Sequence, residues 1–233
     1  MNFDKAYVIG SYDFSPKRLK RFYNMSNSMN IDVELWSAIY GLDVDINEYK
    51  TKGYLSDNFK LRLPGSLGCL LSHVTLWEHC QKDSNCNIAL ILEDDVTLNA
   101  NFLNSLANIS LEEIPENWEI IKLSYNRVIG SKISNSFIKP ELSMKRGTNA
   151  GSWCYLINTS YIENVIKVLI PYNNAVSMDV IVRENIDKLN IFFTREKLAV
   201  HDQIRYSVRK DINRPNVNIF KRIITKLSKK FYS

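Results

Sequence analysis

The sequence contains no long apolar run, and no segment approaches the roughly 20 apolar residues that a membrane-spanning helix requires. Residues 1–5 (MNFDK) lack the apolar stretch of a secretory signal peptide. The four cysteines form neither a Cys-x-x-Cys pair nor an evenly spaced framework, which indicates reduced, mostly buried thiols. We therefore expect a cytoplasmic protein with free cysteines.

Several motifs for phosphate binding or catalysis are also missing. The chain has no Gly-x-x-x-x-Gly-Lys-Ser/Thr loop and no Gly-x-Gly-x-x-Gly fingerprint. It has no Ser-His-Asp arrangement around an elbow motif and no cysteine and histidine spacing typical of zinc sites. A pyrophosphate group would therefore have to be held by a metal ion and by scattered basic side chains.

The net charge of +5 is distributed unevenly along the chain. The last fifteen residues contain five basic side chains and no acidic one, so the charges of residues 1–218 cancel. No segment combines basic residues with interleaved aromatic ones, which argues against nucleic acid as a partner. The positive charge therefore belongs to the C-terminal tail.

This tail has apolar residues at helical spacing, with lysine and arginine over much of the remaining surface. We divide the chain into a domain of residues 1–215 and a basic amphipathic tail of residues 216–233. We expect residues 219–232 to bind an anionic membrane surface, which places the protein peripherally on the inner face of the cytoplasmic membrane. The alternative is a C-terminal helix that docks on the domain. The apolar residues are Ile219, Phe220, Ile223, Ile224, Leu227 and Phe231.

The 233 residues and the 45% hydrophobic content suit one α/β domain with a full core. Short apolar segments alternate with amphipathic ones, which predicts a sandwich around a mainly parallel sheet. Residues 41–65 are polar and irregular, so we expect a loop there. Strands are predicted near residues 6–9, 33–36, 88–92, 118–123, 152–157, 191–193 and 198–200. Helices are predicted at 16–25, 67–80, 102–107, 161–169 and 178–189.

Three consecutive acids, Glu93, Asp94 and Asp95, follow the most apolar predicted strand. Ligands of open α/β sheets bind beyond the carboxyl ends of the strands. Clustered carboxylates repel one another, and a hard divalent cation such as Mn²⁺ or Mg²⁺ removes that cost. The triplet therefore predicts a metal site. A solvated acidic turn that caps the next helix is the alternative.

Further polar residues lie where they could complete such a site. Ser72 and His73 interrupt an apolar helix, although a hydrogen-bonded core histidine is equally compatible with the pattern. His201 follows an apolar strand and could be a further metal ligand. Asp179 opens a predicted helix, where a carboxylate could also act only as a cap. Arg18, in the basic helix after the first strand, could reach phosphates or remain solvated.

Residues 64–73 (PGSLGCLLSH), Trp77 and residues 90–96 (LILEDDV) together resemble glycosyltransferase family 25, which includes bacterial lipooligosaccharide glycosyltransferases and collagen-type galactosyltransferases. Residues 38–41 (AIYG), 118–123 (WEIIKL), 147–157 and 178–179 (MD) resemble other blocks of that family. The likeness runs from about residue 5 to about residue 207. Two departures are Gly10-Ser11, where the family has Asn-Leu, and Ser66, where it has Glu.

The resemblance implies a GT-A type, Rossmann-like α/β/α sandwich, a UDP-hexose donor, Mn²⁺ and inversion at the anomeric carbon. We expect a glycan or glycolipid acceptor of the lipooligosaccharide or lipopolysaccharide type rather than collagen, because the chain is short and has a basic amphipathic tail. Asp95 is then the first metal ligand and His201 a second one. Glu93, Asp94, Arg18 and Ser72 would serve the bound nucleotide and the metal's waters. Asp179 would be the general base, with His73 in reserve.

Two other functions remain open from the sequence. A protein of this fold could hold a nucleotide or a glycan without turnover. A metal-dependent hydrolase of nucleotide sugars could use the same acids. Acceptor-dependent release of UDP distinguishes the transferase from both.

Overall fold

The computed structural model describes residues 1–143, 145 and 147–202, which form an α/β sandwich around an eight-stranded sheet. The strands are β1 (Lys5–Gly10), β2 (Glu34–Ser37), β3 (Ile88–Glu93), β4 (Val96–Leu98), β5 (Ile120–Lys122), β6 (Gly130–Lys132), β7 (Phe137–Pro140), β8 (Cys154–Asn158), β9 (Ile191–Thr194) and β10 (Ala199–His201). The helices are α1 (Pro16–Ser28), α2 (Ile46–Thr51), α3 (Pro64–Lys82), α4 (Phe102–Ala107), α5 (Glu163–Leu169) and α6 (Met178–Glu184). Two 3₁₀ turns lie at Leu111–Glu113 and Ile186–Lys188.

The strand order in the main sheet is β2-β1-β3-β8-β5-β9-β7-β6. Strands β2, β1 and β3 are parallel, β5 and β9 are parallel, and β8 and β7 run opposite to them. The prediction of an α/β/α sandwich with a mainly parallel sheet is therefore confirmed. Strand β3 is parallel to β1, as predicted, but antiparallel to β8 on its other side.

Successive residues of β3 point to opposite faces of the sheet and enter two separate cores. Ala89 and Ile91 pack with α3, α5 and α6, whereas Leu90 and Leu92 pack with α1 and α4. Full burial of a leucine side chain contributes about 2 kcal/mol. The sandwich is therefore held mainly by apolar packing on both faces of the sheet.

Two glycines let helix α3 pack directly against the loop after β2. A Cβ atom on Gly68 would lie 2.3 Å from the carbonyl oxygen of Ile39, and one on Gly41 would lie 1.8 Å from that of Pro64. The Ser72 hydroxyl accepts a hydrogen bond from the Ile39 amide at 2.8 Å and donates one to the Gly68 carbonyl at 2.7 Å. Larger residues at either glycine would separate the helix from the loop.

Some sequence predictions need correction. Residues 41–65 are not wholly a loop, because the Asp45 side chain caps α2 by accepting hydrogen bonds from the amides of Asn47 and Glu48. The helix predicted for 178–189 ends at Glu184, and a separate 3₁₀ turn, Ile186–Lys188, follows it. The predicted strand at 198–200 corresponds to β10, which pairs with β4 in a separate two-stranded sheet. Strands β4, β6 and β7 were not predicted.

No helix in the described part of the chain is both long and apolar enough to cross a membrane. The predicted tail, residues 216–233, lies outside the described residues, as does the predicted domain boundary at residue 215.

Candidate functional site

The acidic triplet lies at the carboxyl edge of the sheet, where β3 ends. The Glu93 amide donates to the carbonyl of Trp153 at 2.9 Å, and the Asp94 amide donates to that of Ile9 at 3.2 Å. Asp94 and Asp95 are only 3% and 9% exposed. Two carboxylates this deeply buried need positive charge close by. The alternative of a solvated acidic turn does not describe them.

Helix α1 supplies that charge. The Arg18 guanidinium forms an ion pair with Asp94, and its nitrogen lies 2.9 Å from a carboxylate oxygen of Asp95. Ser15 precedes the helix, but its hydroxyl donates to Asp94 rather than capping the helix. Burial raises the pKa of Asp94 to about 6, although the Arg18 charge and the Ser15 hydrogen bond oppose this rise.

His201 reaches the same carboxylate from the small sheet. Pairing of β10 with β4 puts His201 opposite Val96, next to the acidic triplet. Its Nε2 atom lies 3.3 Å from Asp95 Oδ2, and its ring stacks on Trp153 with centroids 4.4 Å apart. Burial tends to lower the pKa of His201, but the carboxylates of Asp95 and Glu93 outweigh it and raise that pKa above its ordinary value.

Asp95 and His201 fit a divalent metal ion. Two ligand atoms about 2.1 Å from one octahedral ion lie about 3 Å apart when they are adjacent. The observed 3.3 Å between Asp95 Oδ2 and His201 Nε2 is close to that spacing. A carboxylate oxygen and an imidazole nitrogen are both suitable ligands for Mn²⁺. The donor set therefore agrees with the metal site expected from the sequence.

His73 takes part in a buried hydrogen-bonded chain beneath Glu93. Its Nδ1 atom lies 2.6 Å from the Tyr155 hydroxyl, which also accepts from the Trp77 indole at 2.9 Å. Its Nε2 atom lies 3.3 Å from a Glu93 oxygen, to which the Ser152 hydroxyl donates at 2.7 Å. Because both ring nitrogens have partners and the residue is 1% exposed, these contacts favour a supporting role for His73.

Cys69, His73 and Glu93 form a second group of possible ligands, with ligand atoms within 4.8 Å of one another. A cation is less favoured here than between Asp95 and His201. The His73 nitrogens already contact Tyr155 and Glu93.

Asp179 lies in the first turn of α6 and is partly buried. Among the described residues its carboxylate accepts no hydrogen bond, so it is not a helix cap there. Its charge acts on Lys122, a buried lysine at the end of β5. Burial lowers the pKa of Lys122, whereas the carboxylates of Asp179 and Glu93 oppose that change. The charges of Asp179 and Glu93 thus both act on Lys122.

A family model for "Glycosyltransferase family 25 (LPS biosynthesis protein)" matches residues 3–182. The chain belongs to glycosyltransferase family 25. It is 28% identical over 116 residues to a "Glycosyltransferase 25 family member" of Aedes aegypti, a match that covers 47% of this chain and 19% of the relative. It is 27% identical over 139 residues to a bovine protein described as "Probable inactive glycosyltransferase 25 family member 3", covering 55% and 23%. The matched segments span less than a quarter of either relative.

Among solved structures, a mutant of the glycosyltransferase LgtC is similar across 97% of this chain and 95% of its own, with 8% identity and a TM-score of 0.49. Because this TM-score is below 0.5, the family assignment rests on the sequence match.

In this family 25 chain, the sequence-predicted residues fall into three groups. Arg18, Asp94, Asp95 and His201 come together, with Glu93 and His73 directly beside them. Asp179 is linked to this group only through its electrostatic effect on Lys122. The Ser72 hydroxyl is bonded to backbone groups and holds α3 to the loop after β2, and its contact with a bound nucleotide stays a prediction.

Sequence reasoning missed four contributors: Ser15, Lys122, Ser152 and Trp153. A lysine inside the apolar segment 120–123 was a visible signal for Lys122. The roles of Ser15, Ser152 and Trp153 follow from contacts with residues distant in sequence, for which the sequence has no local signal.

Proposed function

We propose that this chain transfers a hexose, galactose or glucose, from a UDP-sugar to a hydroxyl group of a glycan. The observation that carries the proposal is the convergence of Asp95 and His201 on one point at the carboxyl edge of the sheet, in a chain of glycosyltransferase family 25. This combination of a carboxylate and an imidazole suits a metal-bound diphosphate better than a glycan alone.

On the donor side, Asp95 and His201 would hold Mn²⁺ or Mg²⁺. When bound, the ion neutralises charge that develops on the departing diphosphate. Arg18 faces the same carboxylates, and its guanidinium is suited to paired contacts with phosphate oxygens. Asp94 orients Arg18 through their ion pair, and Glu93, which already accepts from Ser152, would also accept a hydroxyl of the nucleotide sugar.

On the acceptor side, Asp179 is the general base. The acceptor oxygen attacks C1 of the donor sugar while its proton passes to the Asp179 carboxylate. The bond between C1 and the phosphate oxygen breaks, and UDP leaves with the bonding electrons. Attack from the side opposite the leaving group inverts the configuration at C1. Asp179 is preferred to His73 because its carboxylate is free of hydrogen bonds within the described residues.

The test measures UDP release from UDP-galactose, UDP-glucose and UDP-N-acetylglucosamine with Mn²⁺, with and without a lipooligosaccharide-type acceptor. We expect release that needs the acceptor, stops with a chelator, and accompanies a mass increase of one hexose in the acceptor. Equal release without an acceptor would indicate a hydrolase instead. Tight UDP-sugar binding without release would indicate a binding protein. The bovine relative, for comparison, is described as a "Probable inactive" member of the family.

We also propose that a lipid-linked glycan is the acceptor and that residues 219–232 hold the enzyme at an anionic membrane. These residues carry five basic side chains, each contributing about 1 kcal/mol near such a surface. Full-length protein should sediment with phosphatidylglycerol-containing vesicles, and less so as salt increases. A chain ending at Asn218 should remain in the supernatant. Equal sedimentation of the two chains would contradict the membrane role of the tail.

A further inference from the structure

Lys122 is a buried cation in the core of the sandwich. It is 5% exposed, and its Nζ atom donates to the Gly151 carbonyl at 2.6 Å and lies 4.9 Å from the centre of the Tyr155 ring. Burial of an ammonium group is costly, and a neutral side chain would fill the same space without that cost. A lysine at this position therefore calls for an explanation beyond packing.

Gly151, whose carbonyl accepts from Lys122, is the first residue of a segment, residues 151–153, that contacts both the acidic triplet and His201. Ser152 donates its hydroxyl to Glu93, and the Trp153 carbonyl accepts from the Glu93 amide. The Trp153 ring stacks on His201. Residues 151–153 thus touch the acidic triplet on one side and the proposed imidazole ligand on the other.

The backbone of this segment needs to be fixed from outside. Gly151 has a φ of +120°, which only glycine adopts easily, and a Cβ atom there would lie 2.8 Å from the Trp153 ring. Glycine also permits other conformations at low cost, so the observed one requires a restraint. The hydrogen bond from Lys122 to the Gly151 carbonyl is such a restraint.

We propose that Lys122 is a positioning residue for glycosyl transfer, which holds residues 151–153 so that Glu93 and His201 keep their relative placement. The inference rests on the proposed function for its effect on catalysis, but the restraint itself can be measured without turnover. The positive charge suits the position, because the carboxylates of Glu93 and Asp179 are both electrostatic neighbours of the ammonium group.

The chain offers a matched control. Lys139 likewise donates to a backbone carbonyl, that of Leu189 at 2.7 Å, and lies 4.7 Å from the centre of an aromatic ring, that of Phe192. Glu119, rather than the acidic triplet, is its electrostatic neighbour. Replacing either lysine by methionine removes the same two kinds of contact, but only Lys122→Met removes them beside the site.

The experiment compares Lys122→Met, Lys122→Arg and Lys139→Met with the wild type. Lys122→Met should lower kcat about 10²-fold, the loss typical of misplaced catalytic groups, and should raise the KM for the UDP-sugar, because Glu93 and His201 both serve the donor. Lys122→Arg should recover part of the loss, and Lys139→Met should retain normal kcat. Circular dichroism and Tm establish that each variant is folded.

Hydrogen exchange gives the second measurement and does not depend on activity. Amides of residues 152–154 should exchange about 10-fold faster or more in Lys122→Met than in the wild type, because a charged hydrogen bond to the segment is lost. Lys139→Met should leave these amides unchanged. Faster exchange without transfer by the wild type would retain the restraint and reject the proposed function. Unchanged exchange, or equal loss of kcat in both methionine variants, would overturn the role of Lys122.

Discussion

Replacing Asp95 by asparagine is expected to abolish sugar transfer while the fold remains intact. The change keeps the side-chain volume but removes the charge that faces Arg18 and His201. An amide is a much weaker ligand for a hard cation than a carboxylate. Activity should fall at least 10-fold, a loss of about 1.4 kcal/mol or more in transition-state stabilisation. Initial rates with a saturating acceptor measure it.

Mn²⁺ binding in the presence of UDP, followed by calorimetry, should weaken in the same variant. Asp83→Asn is the matched control, because Asp83 is also a carboxylate in an ion pair, with its oxygen 2.8 Å from Lys5 Nζ at the other end of β1. That variant should keep normal transfer and normal Mn²⁺ binding. If Asp95→Asn retains more than a tenth of wild-type activity, Asp95 is not the principal ligand.

The Asp179→Asn substitution should lower turnover by about 10²-fold or more, the usual contribution of a general base. UDP affinity should change little, because Asp179 acts on the acceptor. Transfer rates give the first quantity and calorimetric titration with UDP and Mn²⁺ gives the second. Asp187→Asn, at an exposed position in the 3₁₀ turn after α6, serves as the control and should behave like the wild type.

The transfer rate and the UDP affinity together show whether Asp179 acts on the donor or on the acceptor. Weak UDP binding with normal turnover would move Asp179 to the donor side and remove it as the base. Normal binding and normal turnover would exclude it from both roles, and His73 would then be tested by His73→Gln. Since both nitrogens of His73 have buried partners, that variant also requires a stability measurement.

The contact between Asp95 and His201 could not be predicted from the sequence. Each residue is a candidate in the sequence because it follows an apolar segment. The sequence did not show that β10 lies outside the main sheet and pairs with β4. This pairing places His201 Nε2 3.3 Å from Asp95. Pairing between segments about 100 residues apart depends on the whole fold rather than on local periodicity.

The sequence by itself determined the alternation of strands and helices, the buried helix α3 and the acidic triplet at the end of β3. Apolar spacing is local, and it indicates which face of each segment will be buried. Only the tertiary structure decided which polar side chains meet. The insertion of β8 between β3 and β5 brings Ser152 and Trp153 to Glu93 and places Gly151 within reach of Lys122. Strand order arises from the joint packing of all elements on two faces of one sheet, so the composition of the site follows from the fold as a whole.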